Sequence, residues 1–297
     1  MTETGRAGRQ VLLVAHTGRA DMAGVARAVH DRLAPAGIEL VAVQGESREL
    51  ELGTFAGGEV ELVLALGGDG TLLRAAETAR PLRAPVLGIN LGRVGFLAEA
   101  DLDRLDEALD LIVDRGYLRP GGTAARMTVE VAVEHAGQIL HTGWALNEIS
   151  VEKATRERIL DVVVEVDGRG VSAYGCDGVL CSTPTGSTAY AFSTGGPVVW
   201  PDVQALLVAP SNAHALFARP LVVSPESTVT VHIDPDGHPA IVVCDGRRSR
   251  QVPPGSRVHI TRGSQPVVLA TLGDGSFTER LVRKFTLPVH GWRDRRY

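Results

Sequence analysis

The chain has 297 residues, 44% of them hydrophobic, and a formal charge of -5. That is apolar material for two ordinary domains or one large one, with too little basic surface for a nucleic-acid partner. No stretch qualifies as a membrane span, the uncharged run 178–201 being full of Ser, Thr, Gly and Pro. Cys176, Cys181 and Cys244 show no Cys-x-x-Cys spacing and the nine histidines no metal-ligand spacing, so neither a disulfide framework nor a protein metal site is indicated. With a polar first ten residues that lack the apolar core of a signal peptide, the expected compartment is a reducing cytoplasm.

Residues 10–15 predict a first buried strand, and Met22, Val25, Ala26, Val29 and Leu33 give a helical stripe over about 21–33, stopped by Pro35 and Gly37. Strands follow at 38–43 and 62–66. The second of these, apolar throughout, feeds Gly67-Gly68-Asp69-Gly70, a tight strand-to-helix turn. Thr71 is placed to cap with its hydroxyl a helix that runs to Arg80 and ends at Pro81. A strand over 84–90 leads into Asn90-Leu-Gly-Arg-Val-Gly-Phe-Leu97, whose Gly92 and Gly95 suggest a loop pressed against a ligand or a neighbouring backbone. A helix over about 103–114 closes this half, and 116–122, with Pro120, is the expected boundary. Alternating strands and helices predict a doubly wound parallel sheet over 1–120, with ligands at the carboxyl ends of its strands.

Beyond the boundary the apolar period falls to two, in 127–134, 139–150, 160–166, 228–233, 240–244, 257–261 and 266–272. Asp167-Gly168 is a good hairpin turn. Residues 121–276 are therefore expected to form a β-rich domain of two packed sheets. Residues 277–285 look helical, and 277–297 are expected to return to the first domain. The arginine-rich end, Arg280, Arg283, Lys284, Arg293, Arg295 and Arg296, reads as mostly solvated.

Three segments carry chemistry. In the loop Gly67, Gly68, Gly70 and Thr71, missing Cβ atoms let peptide N–H groups and a helix N-terminus face a phosphate. Asp69 is out of place beside a phosphate unless it carries a metal or accepts the proton of an attacking hydroxyl. The loop is neither a P-loop nor a Gly-x-Gly-x-x-Gly fingerprint. Asn147-Glu148, at a strand end, offers the donors and acceptors that ribose hydroxyls and an adenine edge need. Residues 177–193 place Asp177, a strand and a hydroxyl-rich turn ahead of a helix. There Thr185, Ser187, Thr188 and Ser193 supply neutral hydrogen bonds, Ala189 admits a ring, and Tyr190 stacks or donates.

Gly-Gly-Asp-Gly-Thr resembles the signature shared by NAD kinases, diacylglycerol kinases and sphingosine kinases. With Asn-Leu-Gly-Arg-Val-Gly-Phe-Leu at 90–97, Asn-Glu at 147–148 and Ser-Thr-Pro-Thr-Gly-Ser-Thr-Ala-Tyr at 182–190, the chain from about Val11 to Trp292 resembles the NAD kinases. Residues 212–216 and 244–248 look most like actinobacterial members. That resemblance implies phosphoryl transfer from ATP, with Mg²⁺ or another divalent cation, to the 2′-hydroxyl of the adenosine ribose of NAD. Asp69 would be the proton acceptor. Asp69, Gly70, Asn147, Glu148, Asp177, Thr185 and Thr188, Ala189, Tyr190, Ala191, Phe192 and Ser193 would hold the dinucleotide. Arg74 and Arg158 fall where members place substrate contacts, Arg247 where others have Gln, and Gly175 where relatives have Arg. Arg74, Arg93, Arg247 and Arg248 could all neutralise phosphates. Homodimers or homotetramers are implied, and polyphosphate is an open alternative to ATP. A lipid kinase would share only the first motif, and a non-catalytic NAD sensor would have no need of Asp69.

Overall fold

The computed structural model describes residues 8–16, 21–43, 46–92, 95–273 and 276–289. Its contacts divide the chain into two units, 1–125 with 267–297, and 126–266.

The first unit opens with strand β1 (Arg9–Ala15), helix α1 (Met22–Leu33) and strand β2 (Ile38–Ala42). A single turn, α2 (Ser47–Leu50), and a two-residue strand, β3 (Gly53–Thr54), precede β4 (Leu62–Leu66). Next come α3 (Asp69–Leu82), β5 (Val86–Asn90), β6 (Ala100–Asp101), α4 (Leu105–Val113) and β7 (Thr123–Arg126). β1 pairs in parallel with β2 and β4, and β4 with β5. Val11, Leu13 and Ala15 share a core with Met22, Ala26, Val29 and Leu33 of α1 and Ala108, Leu109 and Ile112 of α4. The intervening Leu12, Val14, Val63 and Ala65 are equally buried, and α3, which contacts β1, β4 and β5, covers that side. Strands covered on both faces explain why residues 62–66 carry no polar side chain.

α3 differs from expectation at both ends. The chain bends at Gly67-Gly68, so Gly68 is the extended N-cap residue and Asp69 the first helical one. Thr71 lies inside the first turn, buried, and caps nothing. Pro81 does not stop the helix: it lacks the N–H that would donate to the carbonyl four residues back, the loss of one hydrogen bond, and termination waits for Arg83 in the left-handed region (φ 55°).

The second unit is built from β8 (Val129–His135), β9 (Gln138–Ala145), β10 (Glu148–Lys153), β11 (Leu160–Val166), β12 (Arg169–Cys176) and β13 (Gly178–Ser182). After the single helical turn α5 (Tyr190–Ser193) come β14 (Leu206–Ser211), β15 (Leu221–Val223), β16 (Val229–Ile233), β17 (Ala240–Cys244), β18 (Arg248–Val252) and β19 (Arg257–Arg262). They form two antiparallel sheets, ordered β15-β14-β13-β10-β17-β18 and β12-β11-β16-β19-β8-β9, whose inward valines and isoleucines make one core. Asp167 (φ 52°) and Gly168 (φ 73°) turn the β11–β12 hairpin, both residues left-handed as a type I′ turn demands.

The chain then returns to the first unit. β20 (Val267–Ala270) pairs in parallel with β5 and lies between β5 and β7 in the first sheet. The run 266–272, expected in the β-rich half, thus differs in its partner, which alternation alone does not encode, and β7 likewise carries the first unit past residue 122. Helix α6 (Phe277–Phe285), capped by the Ser276 hydroxyl, packs on the first unit. Arg280 and Arg283, expected to be solvated, pair with Glu99 and Asp101. Arg293, Arg295, Arg296 and Trp292 lie outside the described residues. Among the described residues no helix is long and apolar enough to cross a membrane.

Candidate functional site

Asp69 stands at the carboxyl end of β4, where the strand hands over to α3. The Thr71 and Leu72 amides bond the Gly68 carbonyl at 2.9 and 3.1 Å, so the N–H groups before Thr71 are the ones the helix leaves for an anion. The Asp69 carboxylate accepts the Leu97 N–H on Oδ1 and the Phe96 N–H on Oδ2, each at 3.1 Å. Two donors from one loop fix the plane of the carboxylate. Gly95 is pressed against that same side chain: a Cβ there would lie 2.9 Å from the Asp69 carboxyl carbon. The loop was expected against a ligand or a neighbouring backbone; what Gly95 meets is the Asp69 side chain. Arg93 lies outside the described residues.

Arg74, one turn further along α3, donates to the Ala15 carbonyl at 3.1 Å and pairs with Glu46, whose other oxygen takes the Ala15 N–H at 2.9 Å. Its guanidinium is thereby tied to the end of β1.

In the second unit the alternating run 139–150 is broken, as the strand end expected at Asn147-Glu148 requires. β9 ends at Ala145 in one sheet and β10 starts at Glu148 in the other, with Leu146 and Asn147 crossing between them. The break is stable because every backbone group that leaves a ladder finds another partner. Asp245 accepts the Leu146 and Asn147 N–H groups at 3.0 and 2.7 Å. The Thr183 hydroxyl donates to the Leu146 carbonyl at 2.6 Å, and the Thr183 amide and Ser182 hydroxyl donate to that of Asn147 at 2.8 and 3.0 Å. A Cβ on Gly186 would sit 2.5 Å from the Asn147 carbonyl carbon, so the 183–188 turn lies directly over the crossing.

Asn147 and Glu148 are buried, 7% and 5% exposed, yet Asn147 Oδ1 and Glu148 Oε2 have no hydrogen-bond partner among the described residues. Burial, with the nearby Asp245 charge second, pushes the Glu148 carboxyl up to about 8, against the pull of the Tyr190 backbone N–H. At neutral pH it is mostly protonated and can donate as well as accept. Asp245 also pairs with Arg248 at 2.8 Å, and Arg248 lies 4.7 Å from the centre of the Trp144 ring.

Asp177 is bound by Lys153 at 2.5 Å and by the Asn212 amide at 2.8 Å, and these two hold its carboxyl below the ordinary carboxylate range. Gly175 bridges His214 through the backbone. The expected helix after the turn is one 3₁₀ turn (Thr185–Thr188) and then α5. Ser187, expected to serve a ligand, is fully buried and spends its hydroxyl on Pro184 and Val199. Thr185 and Ala191 are buried, Thr188 and Ala189 half-buried, and Tyr190, Phe192 and Ser193 exposed. The Tyr190 hydroxyl is 3.5 Å from that of Ser211. Arg158 is exposed in the connection before β11, and Arg247 is exposed in the β17–β18 turn.

Sequence reasoning passed over Phe96, Lys153 and Asp245. Phe96 acts through its backbone, which leaves no signal in residue type, and Asp245 sits in an Asp-Gly pair that reads as an ordinary hairpin turn.

Residues 25–117 match the family model of the ATP-NAD kinase N-terminal domain, and residues 146–272 that of the ATP-NAD kinase C-terminal domain. The chain is 53% identical to NAD kinase 2 of Streptomyces coelicolor, covering 96% of this chain and 97% of that one. It is 52% identical to the NAD kinase of Nocardia farcinica, covering 99% and 96%. Among solved structures, an NAD kinase from Archaeoglobus fulgidus in complex with ATP superposes with a TM-score of 0.72 at 27% identity, over 94% of this chain and 99% of that one. Yeast NADH kinase complexed with NADH superposes with a TM-score of 0.80 over 94% and 86%, and its 20% identity speaks for the fold.

Proposed function

This chain belongs to the NAD kinase family, and on that premise we propose that it transfers a phosphoryl group from ATP to the 2′-hydroxyl of the adenosine ribose of NAD, giving NADP. The observation that carries this reading is the pair of buried, partnerless oxygens on Asn147 and Glu148. Buried polar atoms without partners cost free energy, and a ligand rich in hydroxyl and amino groups would relieve them.

Asp69 is the proton acceptor in this reading. A sugar hydroxyl is far too weak an acid for a carboxylate to ionise beforehand. It becomes acidic late, as its bond to a loose phosphoryl transition state forms, and the proton then passes to Asp69 while the P–O bond to the leaving ADP breaks. Held by the Phe96 and Leu97 amides, the carboxylate needs no reorientation at that moment. Protonated Glu148 donates to the dinucleotide, and the Asn147 amide both donates and accepts. Gly70, Asp177, Thr185, Thr188 and the residues 189–193 complete the dinucleotide contacts, and Arg158 and Arg247, both exposed, are further substrate contacts. Arg74 is the weakest member, since Glu46 already engages it. Mg²⁺, or another divalent cation, is placed on the ATP phosphates, where it screens their charge. Polyphosphate is the alternative donor. A cytoplasmic homodimer or homotetramer is the assembly proposed.

The test is to incubate the protein with NAD, Mg²⁺ and either ATP or polyphosphate, and follow NADP with an NADP-specific dehydrogenase. Asp69→Asn should keep NAD binding and lower turnover roughly a hundredfold or more. A variant within about tenfold of the parent would remove Asp69 from its role. NAD binding without NADP from either donor would favour a sensor, and no NAD binding a lipid substrate.

A further inference from the structure

We propose that helix α6 is a positioning element for Asp69 and that it acts through Phe96; this rests on the reading of Asp69 as the proton acceptor. Phe96 has two roles in one residue. Its N–H donates to the Asp69 carboxylate, and its ring lies between two rings of α6, Phe277 at 5.9 Å and Phe285 at 5.8 Å between centroids. Both pairs are tilted, at 38° and 45°, within the range favoured by aromatic quadrupoles. Two turns of helix separate Phe277 from Phe285, which brings both rings to the face turned towards Phe96.

The rest of the loop is held by the same helix. Arg280 donates to the Ala98 carbonyl at 3.3 Å and to Glu99 at 3.2 Å, and the second Glu99 oxygen takes the Leu272 N–H at 3.1 Å. Arg283 reaches Asp101 at 2.8 Å, and Asp101 also accepts from the Asn90 amide at 3.0 Å. A loop that contributes both donors to the carboxylate is thus fastened at Phe96, at 98–99 and at 101, each time by α6.

α6 buries none of its own residues fully, so it adds little to the core of the first unit. Its contacts are side chains that can be removed one at a time. A helix that stabilises little and grips the loop behind a reacting carboxylate is suited to placing that group, and misplacement by about 1 Å can cost on the order of a hundredfold in rate.

The experiment is the pair Phe277→Ala and Phe285→Ala in the full chain, alone and combined with Asp69→Asn. The double variant should lose tenfold or more in kcat with KM for NAD and ATP within about twofold, the pattern of a defect confined to the transition state. In the Asp69→Asn background the same pair should change the residual rate by less than about twofold, since its effect is transmitted through that carboxylate. Phe277→Leu with Phe285→Leu, which keeps apolar bulk against Phe96, should recover most of the rate. Amide exchange should quicken at Phe96 and Leu97 while the β4 amides stay protected. An unchanged kcat, an equal loss in the Asp69→Asn background, or unchanged exchange at Phe96 and Leu97 overturns the proposal. Should the parent make no NADP, the proposed reaction falls, and exchange at those two amides still decides whether α6 holds the loop.

Discussion

Gly95 and Asp69 are packed so closely that no side chain fits between them: a Cβ on Gly95 would approach the carboxyl carbon to 2.9 Å and Oδ1 more closely still. Gly95→Ala must therefore push either the carboxylate or the loop that carries its two donors. We expect kcat to fall roughly 10- to 100-fold, with some loss of thermal stability as well, because Gly95, Leu97 and Ala98 are buried. NADP formation and a melting curve on the same preparation check this; unchanged turnover would show that the loop yields freely.

Glu148 makes stability depend on pH. An ordinary glutamate titrates near 4.5, whereas this one is raised to about 8 in the folded chain. Between those values the folded state keeps a proton that the unfolded chain has released. Stability from this group therefore falls as pH rises from about 5 to 8, and the cost is complete above 8. Glu148→Gln removes the titration, so its stability relative to the parent should grow over the same interval by an amount on the order of a few kcal/mol. Urea unfolding near pH 5 and near pH 8 gives the comparison, and a difference that is flat with pH would mean Glu148 is ionised in the folded state.

Asp245 spends its carboxylate on two amides and a guanidinium, none of them part of a regular ladder. Asp245→Ala should leave the Leu146 and Asn147 N–H groups buried and unpaired, lowering stability by about 2–4 kcal/mol, and should raise KM for NAD as Asn147 loosens. Calorimetry and initial rates at varied NAD test the two halves separately.

The thiols are predicted to be silent. Burial raises Cys176 and Cys181 to about 12, and Cys244 is buried as well. At pH 8 only about one part in ten thousand of the first two is thiolate. An aromatic disulfide reagent should find no fast-reacting thiol in the folded chain and three in urea. A stoichiometric burst without denaturant would contradict the packing of β12, β13 or β17.

How far the molecule could be read from its residues depended on whether the cause lay near by in sequence. The buried run 62–66, the Asp167-Gly168 turn and the helix at 277–285 follow from local pattern, and each is found where the pattern put it. The strand end read at Asn147-Glu148 is found, whereas the change of sheet at Leu146 and Asn147 is held by Asp245, nearly a hundred residues away, and nothing in 139–150 announces that partner. β20 alternates like its antiparallel predecessors and still joins a parallel sheet, because alternation reports one covered face and not the neighbour. Thr71 was an acceptable cap until the bend at Gly67-Gly68 gave the first helical position to Asp69. Within the candidate site, side chains with an obvious chemical handle could be picked out. The amides that hold Asp69 could not, since every residue but proline has one.

The place of β20 also sets an order of events as the chain is made. The second unit is a single continuous segment, 126–266, and can close its sandwich as soon as it has left the ribosome. The first unit, although begun earlier, has β6 paired at the carboxyl end of β5 but keeps the Val86 end of that flank unpaired until residues 267–270 arrive, and Phe96 does not meet Phe277 and Phe285 until those residues follow. The half translated first is thus finished last, with part of a parallel edge open throughout the wait. Truncated or stalled chains would accumulate with a complete sandwich and an incomplete Asp69 loop, so proofreading by degradation has a physical mark to read in that open sheet.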